Sequence, residues 1–136
     1  MYKLRFAPPY KKNGKTAFPE ATRPGVYLIK ENGKLVYIGM SQSNVYKALY
    51  RHFQTWNDRR SERVTYVDRM NRLDYTVRIV YATPAQAARL EMALIIKHKP
   101  RDNENKYKDY SLDMRDKKAL NEYESIETTP INEVPF

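Results

Sequence analysis

The stretch GVYLIKENGKLVYIG, residues 25–39, sets two runs of β-branched and aromatic residues on either side of Asn32 and Gly33. Asn-Gly between alternating apolar residues is the strongest short-range hairpin signal, because both types tolerate the positive φ of a tight turn. Register decides what the hairpin presents, since a slip of one residue turns every side chain to the other face. A two-residue loop would pair Tyr27 with Ile38 and send Tyr27 and Tyr37 to opposite faces. A three-residue loop over Glu31, Asn32 and Gly33 would set Tyr27 directly across from Tyr37. The aliphatic pattern predicts the second register, with Val26, Leu28, Val36 and Ile38 on one face and Ile29 and Leu35 beside the two tyrosines on the other. Alone, such a pair is ordinary cross-strand packing, worth roughly 0.2 to 1 kcal/mol. Gly25 and Gly39 flank it where a backbone or a phosphate could approach closely.

Charge points to a polyanionic partner. The 136 residues hold 25 Lys and Arg against 16 Asp and Glu, a net charge of +9, and the pI is about 9.7. Residues 108–136 carry four bases against seven acids, so residues 1–107 carry 21 bases against nine and a charge of +12. The positive field therefore belongs to the part that contains the hairpin. No apolar run approaches the ~20 residues of a spanning helix, which disfavours a membrane partner and leaves nucleic acid. With no cysteine, thiol nucleophiles, disulfides and cysteine-type zinc sites are excluded. The N-terminus lacks an apolar secretory core, and a cytoplasmic location is expected.

After the hairpin, Asn44 can cap a helix running from Val45 to about Trp56, with Val45, Leu49, Phe53 and Trp56 forming its core stripe. His52 lies at the edge of that stripe, and Lys47 and Arg51 lie on the side facing solvent or a ligand. Alternation at Tyr75, Val77, Ile79 and Tyr81 predicts a third strand. Thr83, Pro84 and Gln86 then form a capping box with proline at the first helical position, so a helix must start there and run to about Lys97. Glu91 falls among Ala87, Ala88, Leu94 and Ile95 on that helix. A carboxylate on an apolar stripe needs an explanation, because burying it unpaired is expensive. Either it pairs with an internal cation such as Arg51 or Arg72, or it is a ligand for a hard divalent metal.

The two tripeptides, Gly25-Val26-Tyr27 and Tyr37-Ile38-Gly39, resemble the signature of the GIY-YIG nuclease superfamily, and the resemblance extends over residues 24–103 through His52, Glu91 and Asn103 in order. It implies an α/β (α+β) domain, a small three-stranded antiparallel sheet flanked by helices. It implies a metal-dependent endonuclease that hydrolyses nucleic-acid phosphodiesters, DNA favoured over RNA, with Mg²⁺ or Mn²⁺ held by Glu91. By the same resemblance Tyr27 helps to take a proton from the attacking water, Tyr37 and His52 orient water and phosphate, and Asn103 supports the site. The family's first helix usually carries an arginine where this chain has Ala48. Arg51, one turn further on, and Lys47 are the two cations that could replace it. A catalytically weak or inactive relative that binds DNA or RNA through its basic surface is the alternative reading.

Residues 58–73 hold Arg59, Arg60, Arg63, Arg69 and Arg72 with apolar residues at helix-like spacing. They predict a short amphipathic helix whose arginines, with Lys47 and Arg51, would contact phosphates, which position a nucleic acid without reading its sequence. The expected organisation is a basic N-terminal arm over residues 1–23, the nuclease-like domain over 24–107 and an acidic, partly ordered tail over 108–136.

Overall fold

The computed structural model describes residues 1–54 and 64–134. Strands β1 (Tyr2–Leu4), β2 (Gly25–Glu31), β3 (Lys34–Ser41), β4 (Tyr75–Tyr81) and β5 (Thr128–Thr129) form one sheet in the order β3-β2-β4-β1-β5. Helices α1 (Val45–Tyr50), α2 (Pro84–His98) and α3 (Met114–Ser125) complete an α+β domain. The three expected strands are the antiparallel β3-β2-β4 unit. Two more extend it, because β1 pairs antiparallel with β4 and β5 pairs parallel with β1.

The hairpin takes a register that neither loop length alone predicts. Asn32 (φ 49°) and Gly33 (φ 81°) form a two-residue turn, with Glu31 opposite Lys34 and Lys30 opposite Leu35. Ile29 then pairs with Tyr37 and Tyr27 with Gly39, which makes Val36 an extra residue in a β-bulge. The bulge corrects the phase. It restores Tyr37 to the face of Tyr27, diagonal to it rather than directly across. It also reverses two expected positions, since Val36 is buried beside the tyrosines and Leu35 packs with Val26, Leu28 and Ile38 on the other face.

Each face of the sheet has its own core. Tyr27, Ile29, Val77 and Ile79 pack against Val45, Leu49, Tyr50 and Phe53. Val26, Leu28, Ile38 and Val80 pack against Leu90, Leu94 and Ile95 of α2, with Leu120 and Tyr123 of α3 behind. Asn44 caps α1 through Lys47 N–H, and the Thr83/Gln86 capping box with Pro84 starts α2. The helix expected to reach Trp56 ends at Tyr50, followed by a 3₁₀ turn over Arg51–Phe53. There the His52 carbonyl accepts from Tyr66 N–H at 2.8 Å, a tertiary bond, and Gln54 turns extended. Trp56 lies outside the described residues, as do Arg59, Arg60 and Arg63. The described part of the predicted 58–73 helix holds a 3₁₀ turn over Val67–Arg69 instead.

The expected terminal segments join the domain. Beyond β1, the N-terminal segment packs on α1, with the Tyr50 hydroxyl donating to Pro9 O at 2.6 Å and Tyr10 meeting the Tyr50 ring edge-on. The acidic segment forms α3, started by a reciprocal Asp113/Asp116 capping box, and buried Asp116 pairs with Arg89 at 3.1 Å. These charges are spent on internal pairing, which polar composition alone did not reveal.

Candidate active site

Tyr27 rises from β2 into the α1 face and is almost wholly buried. Its hydroxyl lies 2.7 Å from His52 Nε2, and His52 Nδ1 lies 2.7 Å from the Val64 carbonyl. A carbonyl only accepts, so Nδ1 carries the ring proton and Nε2 accepts from the Tyr27 hydroxyl. Burial and the neighbouring Tyr37 and Glu91 push the Tyr27 pKa well above that of a free phenol, so it rests as the neutral donor. Tyr37 stacks at 6.0 Å from the Tyr27 ring and lies 4.6 Å from the His52 ring. Burial raises its pKa, while Lys106 acts in the opposite direction.

Two of the motif glycines are required by space, not by φ. A Cβ on Gly39 would fall onto the Tyr27 hydroxyl and Cζ, and one on Gly25 would fall onto the Val80 carbonyl of the neighbouring strand. Gly39 lets the phenol lie across the edge strand, and Gly25 lets β2 and β4 close.

Tyr27, Tyr37, Met40, Ala48, Arg51, His52 and Val64 line a cleft of about 340 Å³. Of the two candidate replacement cations, Arg51 stands in this wall, whereas Lys47 is exposed and outside it. Arg69 pairs with Glu31 at 3.6 Å, in a network where Arg101 bridges Glu31 and Asp102. Tyr66 donates to Asp102 at 2.7 Å while its ring lies 6.1 Å from that of His52. Arg69 is therefore a brace behind the site, and Arg72 is exposed. This network went unread in the sequence because its bonded members, such as Arg101 and Glu31, stand as far as 70 residues apart.

Glu91 is 6 % exposed on α2. Its Oε2 accepts from Lys106 Nζ at 3.3 Å, and its Oε1 is buried with no close hydrogen-bond partner among the described residues. The Tyr107 hydroxyl also acts on the carboxylate. The internal cation is thus Lys106, not Arg51 or Arg72. The chain returns over α2 through left-handed residues at Lys99 (φ 46°) and Glu104 (φ 51°), which sequence spacing on one helix could not anticipate. Burial raises the Glu91 pKa, and Lys106 and the Tyr107 hydroxyl only partly offset it. Glu91 does not line the cleft, but it is near enough to act electrostatically on both Tyr27 and Tyr37.

Among the described residues no group of three or more His, Cys, Asp or Glu side chains converges. A divalent cation would be held by the orphaned Oε1 of Glu91 and otherwise by water. That donor set fits hard Mg²⁺ or Mn²⁺, which keep several waters, and not a closed tetrahedral zinc site.

Asn103 faces the edge strand, where its Oδ1 accepts from Ile38 N–H at 2.9 Å and its Nδ2 donates to Ile38 O at 2.8 Å. It brackets the middle residue of Tyr37-Ile38-Gly39 and positions the strand without lining the cleft. Asn103→Ala is expected to lower stability by about 1–2 kcal/mol through the two lost bonds, read as a shift in urea midpoint.

Among the described residues no helix is long and apolar enough to cross a membrane. No curated protein and no solved structure matches the chain significantly. The family model for the UvrC-like GIY-YIG domain matches residues 23–104. Those residues span β2 to the Asn103 bracket, and so include the paired tripeptides, His52 and Glu91; the chain belongs to the GIY-YIG family.

Proposed function

We propose that this protein is a metal-dependent endonuclease that cuts nucleic-acid phosphodiester bonds, with DNA the favoured substrate, in the cleft between β2, β3 and α1. The observation that carries this reading is the chain of contacts from Val64 O through His52 to the Tyr27 hydroxyl, with a buried, half-satisfied carboxylate acting on the same phenol.

The Tyr27 oxygen takes a proton from the attacking water as its own proton passes to His52 Nε2, and the new imidazolium is held by Nδ1–H on Val64 O. The water oxygen bonds to phosphorus, and the P–O bond to the leaving nucleotide breaks with its electron pair on the leaving oxygen. That oxygen takes a proton from solvent, to which His52 later returns the one it holds. Tyr37, stacked on the relay, orients the water and the phosphate. Arg51, which lines the cleft, would stabilise the charge growing on the phosphoryl oxygens, the task left open by Ala48. A bound Mg²⁺ or Mn²⁺ on Glu91 would supply Lewis-acid stabilisation of those oxygens and of the leaving group. The +9 charge supports a polyanionic substrate.

The test is cleavage of supercoiled plasmid and of a single strand with Mg²⁺, Mn²⁺ or EDTA, comparing the native protein with Tyr27→Phe. Metal-dependent cutting that the variant loses supports the reading; nucleic-acid binding with no cutting under any condition overturns it. The latter result would favour a binding protein that has given up its chemistry, for which Ala48 is the specific observation. Ala48→Arg separates the cases further. If Arg51 already serves the phosphate, a second guanidinium in the cleft changes the rate less than about threefold; a gain of a hundredfold or more, about 2.7 kcal/mol, shows that the cation was missing.

A further inference from the structure

A second cleft, of about 550 Å³, lies outside the site described above, between the N-terminal segment and the turn after β5. Its walls include Phe6, Pro19, Pro130 and Ile131, its polar groups include Thr16 and Asn132, and it has Arg5 and Lys11 but no carboxylate in its lining. In this wall the Phe6 ring carries Lys30 and Arg78 at 4.1 and 4.3 Å from its centroid. Lys11 begins a tight hairpin closed by Lys11 N–H on Lys15 O at 2.8 Å and by the Tyr10–Thr16 bridge. Gly14 turns it at φ 83°.

Arg5, Lys11, Lys12 and Lys15 are exposed. Among the described residues none of the four forms an ion pair. The hairpin is docked on the helix that leads to His52, since the Tyr46 hydroxyl donates to Thr16 Oγ1 at 3.1 Å and Phe18 N–H donates to the Tyr50 hydroxyl at 3.3 Å. Apolar walls, two side-chain hydrogen-bonding groups and unpaired cations without an acid are what an unstacked nucleobase and its phosphate require.

We propose that this cleft is a nucleotide subsite that takes one unstacked base of a single strand, with the flanking phosphates on Arg5 and Lys11. It rests on the nucleic-acid reading above and narrows the substrate to one with single-stranded character beside the cut. Duplex DNA offers its phosphates to Lys12 and Lys15 at the hairpin tip but cannot fill the cleft, so the subsite discriminates between the two forms.

The experiment is fluorescence anisotropy in EDTA, where no cutting occurs, with a dT oligonucleotide and a duplex of equal length over a salt series. The Arg5→Ala/Lys11→Ala protein is expected to bind the single strand at least tenfold more weakly. Its salt slope should fall by about 1.4, two phosphates at roughly 0.7 each, with duplex affinity changed less than threefold. Asn132→Asp, an exposed change that puts a carboxylate at the cleft, should weaken single-strand binding in the same direction and guards against misfolding of the double variant. A Lys117→Ala/Lys118→Ala protein, with the same loss of charge on α3, should bind like the native chain. Equal losses on single strand and duplex, or the same loss from the α3 variant, overturn the subsite in favour of general electrostatics. Native protein that binds neither form overturns both the subsite and the nuclease reading. Selective single-strand binding by a protein that never cuts supports the subsite and overturns the nuclease.

Discussion

Glu91→Gln is expected to reduce metal-dependent cutting roughly a thousandfold, about 4 kcal/mol of transition-state stabilisation, while leaving the unfolding temperature at pH 7 unchanged or higher. The opposing signs have one cause. Glu91 is 6 % exposed and its pKa is raised by burial, so the folded protein holds a proton there more tightly than the unfolded chain. Stability associated with this group is therefore greatest at low pH and falls as pH rises from the ordinary 4.5 toward the raised folded value. Glutamine is isosteric and neutral, so it removes that fall, and exposed Lys106 can turn to water. The same shift sets the acid limb of activity. Only the carboxylate can hold the cation, so cutting at sub-saturating Mg²⁺ should decline on acidification above the pH range of a solvent-exposed glutamate. Full activity in Glu91→Gln, or a large drop in its unfolding temperature, would make Glu91 a structural partner of Lys106 and nothing more.

Alanine at the two motif glycines should separate folding from chemistry. At Gly25 the new Cβ meets the Val80 carbonyl, backbone against backbone, so β2 and β4 must part in the middle of the sheet. The expected cost is about 2–3 kcal/mol, typical of overpacking, seen as a lower urea midpoint. At Gly39 the new Cβ meets the Tyr27 hydroxyl on an edge strand. The phenol must swing off His52 Nε2 while the sheet keeps its pairing. Cutting should fall roughly a hundredfold, the scale of a lost proton-transfer partner, with a smaller stability change than at Gly25. Native-like rates in Gly39→Ala would reduce the Tyr27–His52 contact to packing.

Much of this chain was legible before folding. The β4 alternation and the Thr83/Gln86 capping box are each specified by residues within a few positions of one another and formed as expected. Asn32-Gly33 placed the hairpin but closed it as a two-residue turn, not the expected three-residue loop. Glu91 announced itself because a carboxylate on an apolar helical stripe is costly under any tertiary arrangement. Tyr27, Tyr37 and His52 were legible as a set only through the family resemblance, since nothing local joins residue 27 to residue 52.

What the sequence by itself determined was the elements, their caps and the residue types of the site, because those depend on local sterics and periodicity. The tertiary structure decided the bulge at Val36, the device by which a two-residue turn still yields the same-face tyrosines that the aliphatic pattern predicts. It also decided the end of α1, where His52 O bonds Tyr66 N–H, and the choice of Lys106 as the partner of Glu91. It drew the terminal segments into the sheet as β1 and β5, where β4 offered β1 an edge to pair with and β1 in turn offered one to β5. The last three outcomes depend on backbone and side-chain groups distant in sequence competing for the same hydrogen bond, ion pair or sheet edge, and the winner is set only when those groups are brought together.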